Sequence, residues 1–273
     1  GGGNKGNQLV QVGGSFNSLM GTAVIFLTGV FVPSIVDAKI SQVFPLMGIA
    51  LAIFTVAFVV VLFTNIPENT PAAAVKGEKS EYGPMSFRHF VLGAIAIFVY
   101  VGVEVGIPNV LQKWLNFVST PAIAGTVTAT YWLLMLVGRL AGAALGAKVS
   151  AKTMLSVVSA VGACLTLGAI FLSPETMVNL PVFKGTAGFG MASVPVNAAL
   201  LVLCGLCTSV MWGGIFNMAV EGLGKYTAVA SGIFMTMVFG CAVMLAIQAQ
   251  VAEMTDYMTS YWVVLFSAAY LLF

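Results

Sequence analysis

Runs of about twenty apolar residues, separated by short polar stretches, recur along the whole chain. A helix of that length is needed to cross the hydrocarbon core of a bilayer. Counted in this way, the pattern predicts eight membrane-spanning helices, over residues 8–32, 44–63, 90–112, 122–146, 154–172, 195–217, 232–249 and 261–273. The last run is too short to cross unless the protein continues past Phe273, so we expect this chain to be part of a longer one.

The third run is interrupted by polar residues. It carries one carboxylate, Glu104, near its middle, and Pro108 follows four residues later. A charge at that depth costs roughly 2.5–3.5 kcal/mol and usually faces a cavity or a partner. Pro108 has no N–H, so the carbonyl of Glu104 loses its helical partner. Tyr100 and Gln112 extend this stripe at four-residue steps, which predicts the wall of an aqueous site. The alternative is a protonated Glu104 that only hydrogen-bonds a neighbouring helix.

The first run is polar in its first half. Gln11 and Asn17 lie there among serines and glycines spaced by three and four residues. Glycines allow close approach of a second backbone, and amides hydrogen-bond across helices. This pattern fits a seam between helices and equally a solute path lined by Gln11 and Asn17. The second run is nearly featureless, and we expect it to face lipid.

Other runs carry single features. Arg139 lies about two turns before a loop, where it can snorkel or pair with a carboxylate. Trp212 precedes Gly213 and Gly214, which indicates an aromatic beside a closely approached backbone or an ordinary interfacial tryptophan. The stretch 173–195 reads as a loop rich in glycine and proline.

Composition supports the membrane assignment. Only 7% of the 273 residues are charged and 59% are hydrophobic, whereas a soluble domain has about 25% charged residues. The net charge of +2 gives no nucleic-acid footprint, and the single His and scattered acids argue against an enzyme and against a bound metal or other cofactor. Cys204 and Cys207 form a CxxC inside an apolar run and read as packing residues.

Basic residues predict the orientation. Alternate loops on one side hold Lys5, Lys76, Lys79, Arg88, Lys148, Lys152 and Lys225, whereas the other side holds only Lys39, Lys113 and Lys184. Because cytoplasmic loops carry the excess of Lys and Arg, the first side should be cytoplasmic.

Several local motifs resemble one family. The Gly138–Gly142 segment GRLAG, followed by Lys148-Val-Ser150, resembles the second copy of the loop signature of the major facilitator superfamily. Four longer stretches resemble the fucose/glucose–galactose:proton symporters within it, namely QVGGSFNSLMG at Gln11–Gly21, YVGVEVGIPNVLQKWL at Tyr100–Leu115, YWLLMLVGRLAGAAL at Tyr131–Leu145 and GLCTSVMWGGIFNMAVEGLGKYT at Gly205–Thr227.

The resemblance implies an all-α, polytopic helical bundle of the major facilitator fold, truncated to helices five to twelve. Residues 1–65 would be the last two helices of the N-terminal half, 66–88 the cytoplasmic linker and 89–273 the C-terminal six-helix half. The family's best-known proton-coupling carboxylates lie on helices one and four, outside this chain. In family members the residue matching Asn17 faces the substrate cavity, and an aromatic stands at the position of Trp212.

The function expected from this resemblance is sugar:proton symport across the inner membrane by alternating access, by a multi-pass protein that acts as a monomer. Its partners would be a small sugar, the coupling H⁺ and the bilayer, without a cofactor. The substrate-binding candidates are Gln11, Asn17, Tyr100, Glu104, Asn109, Gln112, Tyr131 and Trp212. Glu104 is the proton-coupling candidate. The alternatives are a major facilitator exporter of another small solute and an inactive transporter fragment. Which sugar is carried, and whether the ion is H⁺ or Na⁺, stays open.

Overall fold

A computed structural model describes residues 12–23, 44–64, 83–146, 149–184 and 187–272. Within these residues lie ten α-helices, namely α1 over 12–23, α2 Phe44–Phe63, α3 Arg88–Val118, α4 Pro121–Leu145, α5 Ala151–Phe171, α6 Val196–Thr208, α7 Met211–Val220, α8 Thr227–Thr236, α9 Gly240–Met254 and α10 Trp262–Leu272. Gln11 and most of the predicted linker lie outside the described residues.

Five stretches of the described chain are long and apolar enough to cross a membrane: Arg88–Val118, Pro121–Leu145, Ala151–Phe171, Val196–Val220 and Gly224–Met254. Two shorter apolar helices accompany them, over Met47–Phe63 and Thr259–Leu272. The predicted helical, membrane-spanning architecture is therefore confirmed. The helix starts follow local chemistry, since the Thr120 hydroxyl accepts the N–H of Ile123 at 3.4 Å ahead of α4 and Ser150 accepts that of Thr153 at 3.2 Å ahead of α5.

Two of the long stretches are interrupted. The predicted helix over 195–217 divides into α6 and α7, which are separated by Ser209 and Val210. The predicted helix over 232–249 begins earlier, and a 3₁₀ turn over Met237–Phe239 separates α8 from α9. Apolar content does not record such breaks, because the helices on both sides of each interruption are apolar.

The expectation of a loop over 173–195 is wrong. This stretch forms an antiparallel hairpin of β1 (Met177–Phe183) and β2 (Phe189–Pro195), in which Val182 pairs with Gly190. Val182, Ala192 and Val194 are buried on the face that packs against α4 and α6. The period-two alternation of apolar residues in β1 is the sequence pattern typical of a strand. The glycines and prolines around β1 obscured that pattern.

α3 lies at the centre of the bundle and packs against α4, α6, α7, α9 and α10. Its first half is buried beneath α7 and α8, and its second half contacts α4, α6 and the hairpin end of the molecule. α2 differs, because every side chain described in it is exposed. That exposure agrees with the expectation that α2 faces lipid.

The two ends of the bundle are distinguished by their contacts. At one end Phe87 packs beside Tyr226, and the ring Nε2 of His89 lies 2.9 Å from the carbonyl oxygen of Glu221. At the other end, Asp256 follows α9 and accepts the backbone N–H groups of Met258 at 2.8 Å and Thr259 at 2.9 Å. Partial burial alone would raise the pKa of Asp256, but these bonds and the Thr259 hydroxyl outweigh it and hold that pKa below its usual value.

Candidate functional site

The single carboxylate of α3 forms an ion pair with the single arginine of α4. Nη2 of Arg139 donates to Oε1 of Glu104 at 2.9 Å, and the exposed fractions of the two residues are 5% and 7%. Arg139 also contacts the sulfur of Met135 at 3.4 Å. A lone charge at this depth would be costly, and the pairing neutralises both. Of the two possibilities for Arg139, the structure shows the carboxylate partner.

The carbonyl that Pro108 leaves free also has a partner. The hydroxyl of Tyr131 donates to the carbonyl oxygen of Glu104 at 3.1 Å, and Tyr131 is fully buried. A phenol on α4 therefore replaces the backbone donor that the proline removes from α3. Glu104 is thus held twice by α4, through its side chain and through its backbone.

The C-terminal end of α6 is hydrogen-bonded to tyrosines of α3 and α4 beside Glu104. A helix end leaves its last carbonyls without intrahelical donors, and the Tyr100 hydroxyl donates to the carbonyl of Thr208 at 3.0 Å. The Thr208 hydroxyl lies 3.0 Å from that of Tyr131. Two tyrosines therefore join the part of α3 that lacks a backbone hydrogen bond at Pro108 to the break between α6 and α7.

Aromatic and amide side chains flank this network. Trp212, half-buried at the start of α7, packs edge-on against Tyr100 with ring centroids 6.4 Å apart and against Phe234 at 5.9 Å. Gln248 of α9 is buried against Gly106, and its Nε2 has no hydrogen-bond partner among the described residues. The arrangement combines a paired charge, the carbonyl freed by Pro108, the break between α6 and α7 and an aromatic side chain in one layer of the bundle.

The remaining candidates lie apart from that layer. Asn109 is exposed, and its Nδ2 donates to the carbonyl of Val105 on its own helix at 2.8 Å. Gln112 is half-buried one turn further on, and Asn17 is exposed on α1. Of the predicted set, the structure brings together Tyr100, Glu104, Tyr131 and Trp212, whose binding role stays a prediction.

A cavity of about 460 Å³ opens towards the hairpin end. It is lined by the threonines of α1 and α4 and by apolar residues of α4, α6 and the hairpin, among them Thr22, Thr126, Thr130, Leu133, Val182 and Leu203. Glu104 is not among its lining residues. The carboxylate is therefore enclosed by protein and does not face this hollow. Within the described residues there is also no group of three His, Cys, Asp or Glu that could hold a metal ion.

No protein-family model matches the chain. It is 30% identical to the "Glucose/galactose transporter" of Brucella abortus biovar 1 (strain 9-941) over 255 residues, which are 88% of this chain and 55% of that protein. It is 26% identical to the "Putative glucose/galactose transporter" of Helicobacter pylori (strain ATCC 700392 / 26695) over 280 residues, which are 96% of this chain and 62% of that protein.

Among solved structures, the chain matches the major facilitator superfamily transporter FucP in its outward conformation, with a TM-score of 0.71 and 18% identity over 100% of this chain and 68% of that one. A variant of the E. coli fucose:proton symporter FucP gives the same TM-score and identity over 98% of this chain and 68% of that one.

The chain is therefore similar over most of its length to proteins named glucose/galactose transporters. It has the fold of a major facilitator superfamily transporter and is a multi-pass membrane protein. It spans about half the length of the Brucella relative that it matches.

Two residues of the site are not identifiable as site residues from the sequence. The charge of Arg139 predicts a partner, but Glu104 lies 35 positions away and the spacing does not join them. Thr208 is an ordinary residue of an apolar run, and only the helix break that follows it gives its carbonyl a role. The short, glycine-containing segment after Thr208 was the available signal for that break.

Proposed function

We propose that the complete protein is a secondary transporter that carries a hexose-class sugar with a proton across the inner membrane by alternating access. Similarity to the Brucella and Helicobacter relatives supports the sugar as substrate, since both bear the name of glucose/galactose transporters. The structural observation that carries the proposal is the buried Glu104–Arg139 pair, which lies beside the carbonyl freed by Pro108 and near the break between α6 and α7. Static packing alone does not require an ion pair at that depth, because apolar residues of similar volume pack there at no greater cost.

The proposed coupling step uses the charge state of Glu104. In the described arrangement the carboxylate neutralises Arg139 at 2.9 Å. A proton that binds Glu104 makes it a neutral acid, which is cheaper to bury, and leaves the guanidinium without its counter-ion. A buried Arg139 without a counter-ion is unfavourable, so protonation of Glu104 favours a different packing of the helices that hold Arg139. The network with Tyr100 and Tyr131 would pass that change to the break between α6 and α7.

The proposed sugar site extends from this layer to polar residues that lie apart from it. Trp212, half-buried and packed against Tyr100, offers an aromatic face against which a sugar ring stacks. Glu104, Asn109 and Gln112 of α3, with Gln11 and Asn17 from the other half, supply the polar groups for its hydroxyls. We further propose that the protein acts as a monomer, oriented with its basic loops in the cytoplasm.

The test uses the full-length protein in liposomes. Uptake of labelled glucose, galactose and fucose is measured at two pH values, with and without Na⁺, for the wild type, Glu104→Gln and the matched control Glu253→Gln, whose carboxylate is exposed. We expect the wild type and the control to take up at least one sugar faster at the lower external pH. Glu104→Gln should lose that pH dependence or bind sugar more weakly.

Each part of the proposal has its own contrary result. Wild-type uptake by Glu104→Gln at every pH would remove Glu104 from the coupling step. Uptake that follows Na⁺ and ignores pH would replace the proton by sodium. If none of the three sugars is taken up into the liposomes, the proposal of sugar transport is wrong.

One observation favours a second function, the export of a small amphiphilic solute. The 460 Å³ cavity is lined mainly by apolar side chains, and no Asn or Gln is among its described lining residues. Apolar lining suits a molecule with a large hydrophobic face. Efflux of an amphiphilic dye from loaded liposomes, together with absent sugar uptake, would favour this function.

A further inference from the structure

α1 and α4 pack closely together at Gly14, a residue without a side chain. A Cβ placed on Gly14 would collide with Nη1 of Arg139 and would lie 3.1 Å from its Cζ. The guanidinium therefore occupies the space that any larger residue at position 14 would need. The preceding residue, Gly13, has nothing within 4 Å of its Cβ position. The close fit belongs to one residue and not to that stretch of α1 in general.

A second contact lies further along the same two helices. The Cβ position of Gly21 is 3.3 Å from Cδ2 of Trp132. Gly21 follows Gly14 by the same number of positions by which Trp132 precedes Arg139, about two helical turns, so the helices run antiparallel. Ser18, between the two glycines, is fully buried. The seam therefore has two matched contacts in which α4 supplies the large side chain.

Next to this seam the two helices border a cavity. Thr22, one residue after Gly21, lines the 460 Å³ cavity together with Thr126 and Thr130 of α4. The described part of α1 is thus in contact with α4 on the Arg139 side and borders the cavity on the hairpin side. In the proposed domain division, α1 belongs to one half of the transporter and α4 to the other.

We infer that Arg139 is a positioning residue for closure of the two halves, held by Glu104 where Gly14 can close over it. The ion pair fixes the guanidinium from the α3 side at 2.9 Å, and Gly14 covers it from the α1 side. The fit stabilises the conformation in which the seam is closed and the hairpin end is open. This inference rests on the proposed alternating access, because only a transporter that rocks has a second conformation in which the seam opens.

The test compares two neighbouring glycines in the full-length protein. Thr130→Cys is introduced as a reporter in the cavity wall, in a version of the protein whose other cysteines are replaced. Its labelling by a membrane-impermeant maleimide in intact cells is measured with Gly14, with Gly14→Ala and with Gly13→Ala. One methyl group forced into a tight contact disfavours the closed seam, so Gly14→Ala should lower the labelling rate roughly tenfold. Gly13→Ala should leave the rate unchanged.

A second variant separates this fit from a general packing defect. Lysine keeps a positive charge for Glu104 but has no guanidinium nitrogens to meet the added methyl group. In the Arg139→Lys background, Gly14→Ala should therefore change the labelling rate less than twofold. The amount of each variant in the membrane and its melting temperature are measured in parallel, so that rates are compared only among folded proteins.

The possible results distinguish the inference about the seam from the proposed sugar transport. Equal labelling of Gly14→Ala and Gly13→Ala, or an undiminished effect of Gly14→Ala in the Arg139→Lys background, overturns the positioning role of Arg139 and leaves sugar transport intact. If Gly14→Ala lowers the labelling as expected while the wild type takes up no sugar, the seam inference stands and the proposed function fails. If Gly14→Ala does not fold, Gly21→Ala tests closure of the same seam, because its added methyl group would lie 3.3 Å from Cδ2 of Trp132, and an unchanged labelling rate for that variant would overturn the inference.

Discussion

The two halves of α3 carry polar residues at similar spacing but place them differently. Before Pro108, Tyr100 and Glu104 are buried, and their partners lie on other helices at 2.9–3.1 Å. After Pro108, Asn109 is exposed and bonds to the carbonyl four residues earlier on its own helix. The first half therefore holds several helices together, and the second half satisfies its polar group locally.

The difference shows what decides the role of a polar residue in an apolar helix. Spacing fixes the face of the helix on which a side chain lies, but not what stands opposite that face. For Glu104 the opposite element is α4, which supplies a cation and a hydroxyl. A buried polar group with a partner on another helix should cost far more to remove than an exposed one with a partner on its own helix. The following four substitutions test that ranking.

The largest effect is expected for Arg139→Met. Methionine fills similar space but leaves the Glu104 carboxylate buried without its counter-ion, which should destabilise the protein by about 3–5 kcal/mol. The measurement is thermal or denaturant unfolding of the purified full-length protein in detergent. The Glu104→Met/Arg139→Met double variant should recover most of the loss, because two apolar residues replace a pair and leave no charge. A double variant as unstable as Arg139→Met would show that the cost comes from packing and not from charge.

Tyr131→Phe should have an intermediate effect. Removal of the hydroxyl leaves the carbonyl of Glu104 buried without a donor and takes a partner from Thr208, at a cost of about 1–3 kcal/mol. Tyr257→Phe is the control, since its hydroxyl has no hydrogen bond in the part of the chain that the structure describes. The same unfolding measurement compares the two. Equal losses in both variants would contradict the role of Tyr131 at the helix break.

The proline supplies a sharper version of this comparison. Pro108→Ala restores an N–H that can reach the Glu104 carbonyl, so the carbonyl no longer depends on Tyr131. In that background Tyr131→Phe should cost less than about 1 kcal/mol. An unchanged cost would place the contribution of Tyr131 at Thr208 alone.

The sequence was informative where one residue determines its own surroundings. Pro108 cannot donate an N–H, so the free carbonyl of Glu104 follows from two residues four positions apart. A charge in an apolar run must find a partner, and this predicts an interaction for both Glu104 and Arg139. The spans follow from hydrophobic length, and α2 was placed correctly over 44–63.

The sequence does not predict which residues of distant segments contact each other. That Arg139 meets Glu104, Tyr100 meets Thr208 and Gly14 meets Arg139 depends on how the helices pack, which periodicity does not encode. The hairpin was missed for a related reason. Its strands are stabilised by each other and by α4 and α6, while its own residues include the glycines and prolines typical of loops.

Asn109→Ala should have the smallest effect on stability, within about 0.5 kcal/mol of the wild type, because the side chain is exposed and its bond is local. Its proposed role in the sugar site gives a separate expectation for transport. If Asn109 contacts a sugar hydroxyl on the solute path, the KM for uptake should rise several-fold while the melting temperature stays constant. The paired measurement in liposomes and in detergent decides between a binding residue and a surface residue. An unchanged KM would exclude the second half of α3 from the sugar site. Trp212 and the buried residues around Glu104 would then remain as the candidates from the C-terminal half.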